Sequence, residues 1–308
     1  MTLRVGLPDL ISPSYFPAIA AVELGFFERA GLDAEIEVVF PVSQTYQDLA
    51  DGRLQLAAGS AHAALYQFEE WTGCRLACAL SQNMYWFLVV RRDLKPVRGD
   101  LGVVKGLRIA AAPGPIDGLR RMLQKAGVDP DRDLSIVPPP GSGSSISFGV
   151  TAAKALESGA VDGFWANGMG AQVALEGGYG SVVVDARRDD DPPGAADYTF
   201  PALVATESMI EDAPDVVERA VHAVVGAQDA LKEDPARART AASHHFPSQE
   251  LDLILSLIER DSPFYDPVIS PQKVESMNRF AGEIGILSDV HIPYERVVAT
   301  RFEAAWRG

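Results

Sequence analysis

Leu49-Ala50-Asp51-Gly52-Arg53-Leu54-Gln55-Leu56-Ala57 closes a helix and opens a strand in one short run. About a hundred residues later Ala155-Leu156-Glu157-Ser158-Gly159-Ala160-Val161-Asp162-Gly163-Phe164 repeats the move, with Gly again placed where the helical spacing stops. Working outward from the first run, Leu3 to Leu7 reads as a strand. A helix follows from about Ala18 to Ala30, with Ile19, Val22, Phe26 and Phe27 at helical spacing and Gly31 as its stop. Ala34 to Val39 alternates as a strand with one wet face, and a second helix runs from near Ser43 to Asp51. The order β-α-β-α-β predicts a parallel sheet with helices on both faces.

The second run belongs to a comparable series. It begins at Leu107-Arg108-Ile109-Ala110-Ala111 and passes a helix ending at Ala126-Gly127-Val128-Asp129, which matches Ala30-Gly31-Leu32-Asp33. Between the series, Arg91 to Lys105 is charged and broken by Pro96 and Gly99, as expected of a crossing between lobes. A return crossing is expected between Arg187 and Phe200. Helical patterns then cover Pro214 to Lys232, Pro235 to His244, Gln249 to Asp261 and Pro271 to Ile284. The expected division is residues 1–90 plus 200–308 for a discontinuous first lobe and 91–199 for the second.

With 308 residues and 47% hydrophobic content, the chain is long enough for two cores. A formal charge of −15 argues against nucleic acid, whose binding needs clustered Lys and Arg. No run of about eighteen apolar residues is present to span a membrane. The start goes straight into a strand pattern with no secretory leader. Two localisations follow: periplasmic if an export signal has been trimmed, cytoplasmic if Met1 is the native start. Cys74 and Cys78 lie in one strand pattern; four strand residues span roughly 13 Å, beyond a disulfide. They read as buried small hydrophobes, and neither a metal nor an organic cofactor is indicated.

This order of elements resembles the solute-binding proteins of nitrate, sulfonate, taurine and thiamine-precursor ABC transporters, a family that includes the thiamine-pyrimidine synthases. The resemblance is carried by Ala20 to Leu32, Leu49 to Ala57, Lys105 to Ile109 and Ala155 to Phe164, over about residues 3 to 240. It implies an α/β fold of the periplasmic-binding-protein type II: two doubly wound lobes joined by two crossovers, with a small-molecule ligand held in a cleft by hinge closure. An ABC permease is the implied partner if the protein is exported. The resemblance does not imply one ligand; the expected solute is a small organic molecule, anionic or aromatic: a sulfonate, a carboxylate or a pyrimidine-like compound.

In open sheets the crevice lies beyond the carboxyl ends of the strands, so the loops there hold the candidate ligand contacts. The first offers Ser12, Ser14 and Tyr15, with Phe16 as wall or core. The next gives Ser60, expected to cap a helix, and His62 just inside it. Gln82, Asn83, Tyr85 and Trp86 follow the strand that carries the cysteines. In the second series come Gly114, with Asp117 as the expected cap, and Ser144 within Gly141-Ser142-Gly143-Ser144-Ser145. Trp165 and Asn167 follow the strand ending at Phe164, and Tyr198 and Phe200 sit near the return crossing. Aromatic walls with hydroxyl and amide donors suit a flat organic body with a polar end.

No Gly-x-Ser-x-Gly elbow, phosphate-binding loop or His-Glu-x-x-His helix is present. His244 and His245 are helix neighbours expected to point apart, which disfavours a metal site. The chain also lacks the cysteine-rich motif of the thiamine-pyrimidine synthases. One enzyme alternative remains, a cytosolic decarboxylase, hydrolase or lyase with His62 as its acid or base.

Overall fold

Strand Leu3–Leu7 (β1) buries Leu3, Val5 and Leu7 and pairs in parallel with Ala34–Val38 (β2) on one side and Leu56–Ser60 (β3) on the other. At the sheet's edge β2 carries the exposed Glu35, a charge that discourages pairing with another chain. Cys74–Ala79 (β4) lies at the far edge, and Pro201–Thr206 (β10) runs between β3 and β4, antiparallel to both. The strand order is β2-β1-β3-β10-β4.

The second sheet has the same connectivity. Arg108–Ala111 (β6) pairs in parallel with Ser135–Val137 (β7) and Gly163–Ala166 (β8). Phe87–Arg91 (β5) runs antiparallel between β8 and Gly180–Asp185 (β9), giving the order β7-β6-β8-β5-β9. Each element of the first sheet therefore has its counterpart in the second, with β10 and β5 as the matching reversed strands.

This computed structural model describes residues 2–10, 13–138, 148–188 and 194–307. Its two compact units are Met1–Gln82 with Thr199–Gly308, and Asn83–Tyr198. Two sequence expectations need correction. The sheets are mixed, not wholly parallel, and the first division falls after Gln82, eight residues before the expected one. In the first sheet the reversed strand is β10, and in the second one strand accounts for both the mixed pairing and the earlier division. Phe87 to Val90 is an apolar run buried as a central strand, and its partners lie far along the chain in the second series, so it belongs to the second sheet.

The expected first helix is two: Phe16–Glu23 (α1) and Phe26–Arg29 (α2), separated at Gly25, whose φ is 74°. A left-handed residue cannot continue an α-helix, and glycine adopts that conformation without a Cβ penalty. Val42–Ala50 (α3) then leads to β3. In the second unit Pro115–Lys125 (α4), Phe148–Glu157 (α5) and Gly168–Glu176 (α6) flank the sheet. Helices α5 and α6 cross at Gly149 and Gly170, where a Cβ on Gly170 would lie 2.5 Å from the Gly149 carbonyl oxygen. The core beside them is built from Phe87, Val89, Ala152, Leu156 and Phe164.

The C-terminal helices belong to the first unit. Glu207–Asp212 (α7) precedes the long Pro214–Glu233 (α8), then come Arg237–Ala242 (α9), Leu251–Asp261 (α10), Pro271–Glu283 (α11) and Tyr294–Val297 (α12). Gln228 of α8 reaches the end of β4, donating from Nε2 to the carbonyls of Ala79 (3.0 Å) and Leu80 (2.9 Å). No described helix is long and apolar enough to cross a membrane.

Candidate functional site

Because β10 is reversed, its first residues share an edge of the first sheet with the carboxyl ends of β1, β3 and β4. Likewise the start of β5 shares an edge of the second sheet with the ends of β6, β8 and β9. The candidate residues gather at these two edges, each within its own unit.

At the first edge, Ser14 and Tyr15 precede α1, and the Tyr15 hydroxyl lies 3.4 Å from Ser60 Oγ. Tyr46 of α3 donates to the Ser60 carbonyl at 2.8 Å; burial, then the neighbouring Tyr15, pushes its hydroxyl pKa well up, so it stays a donor. Ser60 takes the N-cap position of a 3-10 helix, Ala61–Tyr66, but its side chain makes no capping bond, which corrects the expected cap. His62 is fully buried. Its Nδ1 lies 2.9 Å from Thr199 Oγ1, and its ring meets the Phe280 ring edge-on at 5.3 Å. Gln82 turns to carbonyls of the C-terminal region, donating to Asp266 and Val268. Phe16 and Phe200 are core.

The second edge carries rings and a cation. Asn83, left-handed at φ 66°, donates from Nδ2 to the Arg187 carbonyl at 2.8 Å. Tyr85 and Trp86 stack at a tilt with centroids 4.7 Å apart, and Trp86 meets Trp165 at 6.1 Å. Trp165 is wholly buried and donates its indole N–H to the Pro115 carbonyl at 2.8 Å. Asn167 caps α6, accepting from the Gly170 N–H. Gly114, at φ 89°, holds the N-cap position of α4; Asp117, expected there, lies in the first turn instead, because Pro115 starts the helix. Tyr198 lies beneath Lys125, whose Nζ is 4.8 Å from the ring centroid. Ser12 and Ser144 lie outside the described residues.

Sequence reasoning missed Tyr46, Thr199 and Arg187 as members of these edges. Arg187 enters the sequence reading only as one bound of the return crossing and Thr199 lies inside that span, and nothing local separates such residues from ordinary turn positions. Tyr46 could have been found from its place on the buried face of α3.

Among the described residues no group of three His, Cys, Asp or Glu side chains could hold a metal ion. His244 and His245 do not point apart as expected. They follow the end of α9, and both rings reach one carboxylate, with His244 Nδ1 2.5 Å and His245 Nε2 2.7 Å from the Glu23 oxygens. Cys74 and Cys78 are buried and not joined to each other. Burial pushes the Cys74 thiol up to about 12 and the Cys78 thiol higher, which removes the thiolate that nucleophilic chemistry requires.

A family model described as NMT1/THI5 like matches residues 12–238. The chain belongs to the NMT1/THI5-like family. YtlA of Bacillus subtilis (strain 168), which bears a binding protein's name, is 23% identical over 294 residues, 92% of this chain and 84% of YtlA. Among solved structures, the alkanesulfonate-binding protein SsuA from Xanthomonas axonopodis pv. citri, bound to MOPS, superposes with a TM-score of 0.69 at 14% identity, covering 96% of this chain and 97% of SsuA. The desulfurization enzyme DszB, solved as a mutant with biphenyl-2-sulfinic acid, does so at 0.70 and 17% identity, covering 99% of both chains. These structural likenesses establish the two-lobe periplasmic-binding-protein fold for this NMT1/THI5-like chain. One neighbour that binds and one that catalyses on the same fold show that fold alone leaves the chemistry open.

Proposed function

We propose that this NMT1/THI5-like protein is the substrate-binding component of an ABC-type importer and captures a small organic solute, anionic or aromatic, by hinge closure. The observation that carries the reading is the gathering of hydroxyl, imidazole, ring and guanidinium groups at the carboxyl-end edges of both sheets, where open α/β folds receive ligands. The absence of a thiolate-competent cysteine adds support. SsuA and YtlA are named for binding, which fits. In this reading the partner is an ABC permease and the working compartment is the periplasm, a placement that fractionation of cells carrying the native gene checks.

A thermal-shift screen against alkyl and aryl sulfonates, carboxylates, pyrimidines and nitrate tests the proposal, with each hit recovered and weighed by mass spectrometry. A micromolar ligand at millimolar concentration stabilises by about 4 kcal/mol. A hit recovered unchanged supports a receptor. A hit that is converted supports the enzyme reading, with His62, held by Thr199, as the acid-base group; His62→Gln would then abolish conversion and leave the fold intact. Small-angle scattering with and without the hit checks closure, since an unchanged radius of gyration contradicts it.

A further inference from the structure

We infer that the exposed basic loop of residues 91–98 is a membrane-contact surface, which seats the second unit on an anionic lipid bilayer through its cations and the apolar tip of Val97. The sequence reading takes this charged stretch for a crossing between lobes, but all of it lies inside the second unit, so a hinge does not account for its charges. Its eight residues carry four cations, Arg91, Arg92, Lys95 and Arg98, against the one carboxylate of Asp93, a net +3 in a chain of net −15. All four cations are exposed. Arg91 leans on Asp93 at 3.4 Å and Asp162 at 3.8 Å, while Arg92 and Lys95 pair with no carboxylate among the described residues. Val97, 68% exposed, is the most exposed large apolar side chain among the described residues.

The backbone fixes this face. The Arg92 N–H donates to the Tyr179 carbonyl at 2.8 Å and the Gly99 N–H to the Val183 carbonyl at 2.8 Å, so both ends of the loop are tied to β9 or the residue before it. Between them Lys95 turns the chain at φ 48°, in the left-handed region. Because β5 is reversed, the loop leaves the second sheet at the edge opposite Tyr85 and Trp86, and a lipid surface docked there leaves that unit's candidate contacts uncovered. A bilayer suits the loop better than a protein does. A specific protein interface takes roughly 20–30 residues from each partner, and this patch has eight. An anionic bilayer receives cations at its headgroups and a single apolar tip at the acyl boundary, with no shape to match. Screening limits repulsion from the rest of the acidic chain to about 8 Å at physiological salt, so the charges nearest the surface decide. A lipid contact here is independent of whether the protein binds or converts its solute.

The test is flotation of the full chain, at low and at high salt, with vesicles of phosphatidylcholine alone or of phosphatidylcholine with phosphatidylglycerol. Wild type should float only with the phosphatidylglycerol vesicles, and added salt should release it. Each Lys or Arg near an anionic surface strengthens binding about fivefold, so Arg92→Gln with Lys95→Gln should weaken partitioning roughly ten- to thirtyfold. Lys232→Gln with Arg279→Gln, which removes the same charge from exposed positions of the first unit, should hold it within about twofold of wild type. In a second measurement, Val97→Cys carrying an environment-sensitive dye should shift to the blue on the anionic vesicles, and Val268→Cys, exposed in the first unit, should not; the buried native thiols stay unlabelled. Wild type that ignores phosphatidylglycerol, a loop variant that binds as tightly as wild type, an equal loss in the first-unit variant, or an unshifted dye at position 97 overturns the assignment. Capture of soluble polyglutamate by a loop that ignores vesicles gives the patch to an acidic protein and overturns it too.

Discussion

At the scale of the residue, hydrogen-bond partners distinguish groups that sequence position and burial treat alike. Trp165, a candidate ligand contact, is enclosed and its N–H is used by the Pro115 carbonyl. Trp165→Ala is therefore a core truncation, and urea unfolding should show a loss of about 3–5 kcal/mol. The two thiols give a pH-dependent prediction. Their folded-state pKa values are raised, so above the ordinary thiol value near 9 the unfolded chain releases protons that the folded chain keeps. Stability should consequently fall as pH rises from about 9 toward 12, and Cys74→Ala with Cys78→Ala should flatten that slope. A thiol reagent at neutral pH should label neither cysteine until denaturant is added.

At the scale of the element, glycines set two different kinds of constraint. Gly25 has room for a Cβ, its nearest neighbour being the far end of Arg29, but its φ of 74° is left-handed. Gly25→Ala should cost about 1–2 kcal/mol through backbone conformation alone. Gly170 has ordinary φ but no room, because backbone of α5 stands where its Cβ would go. Gly170→Ala should push α5 and α6 apart and cost more than Gly25→Ala, at the upper end of the roughly 1–3 kcal/mol typical of overpacking. Parallel denaturant titrations of the two variants check the order. Elements made by local patterning were legible in the sequence: β1 through β3, α8 and the repeated helix-to-strand runs. The reversed strands β5 and β10 were not, because their pairing partners lie far away along the chain and an apolar run carries no mark of direction. The site was legible as loops at strand ends. The contact of His62 with Thr199 was not, since Thr199 reads as an ordinary turn residue far along the chain.

At the scale of the whole molecule, each unit has its own sheet, and the buried cluster around Phe87 and Phe164 lies wholly within the second unit. Calorimetry without ligand should therefore give a calorimetric enthalpy larger than the van't Hoff value, the mark of more than one cooperative unit. Equality of the two would show that the units melt together. The placement of β10 also matters for how the protein is made. A ribosome delivers the chain from its amino end at about 5–20 residues per second. Strands β3 and β4 emerge early, yet the strand that joins them is not synthesised until Pro201–Thr206, after the whole second unit. For several seconds the nascent protein holds two unsatisfied strand edges while the inserted unit, contiguous in sequence, already has everything its own sheet needs. Birth order is thus the reverse of reading order: the unit begun second is the first that can be finished.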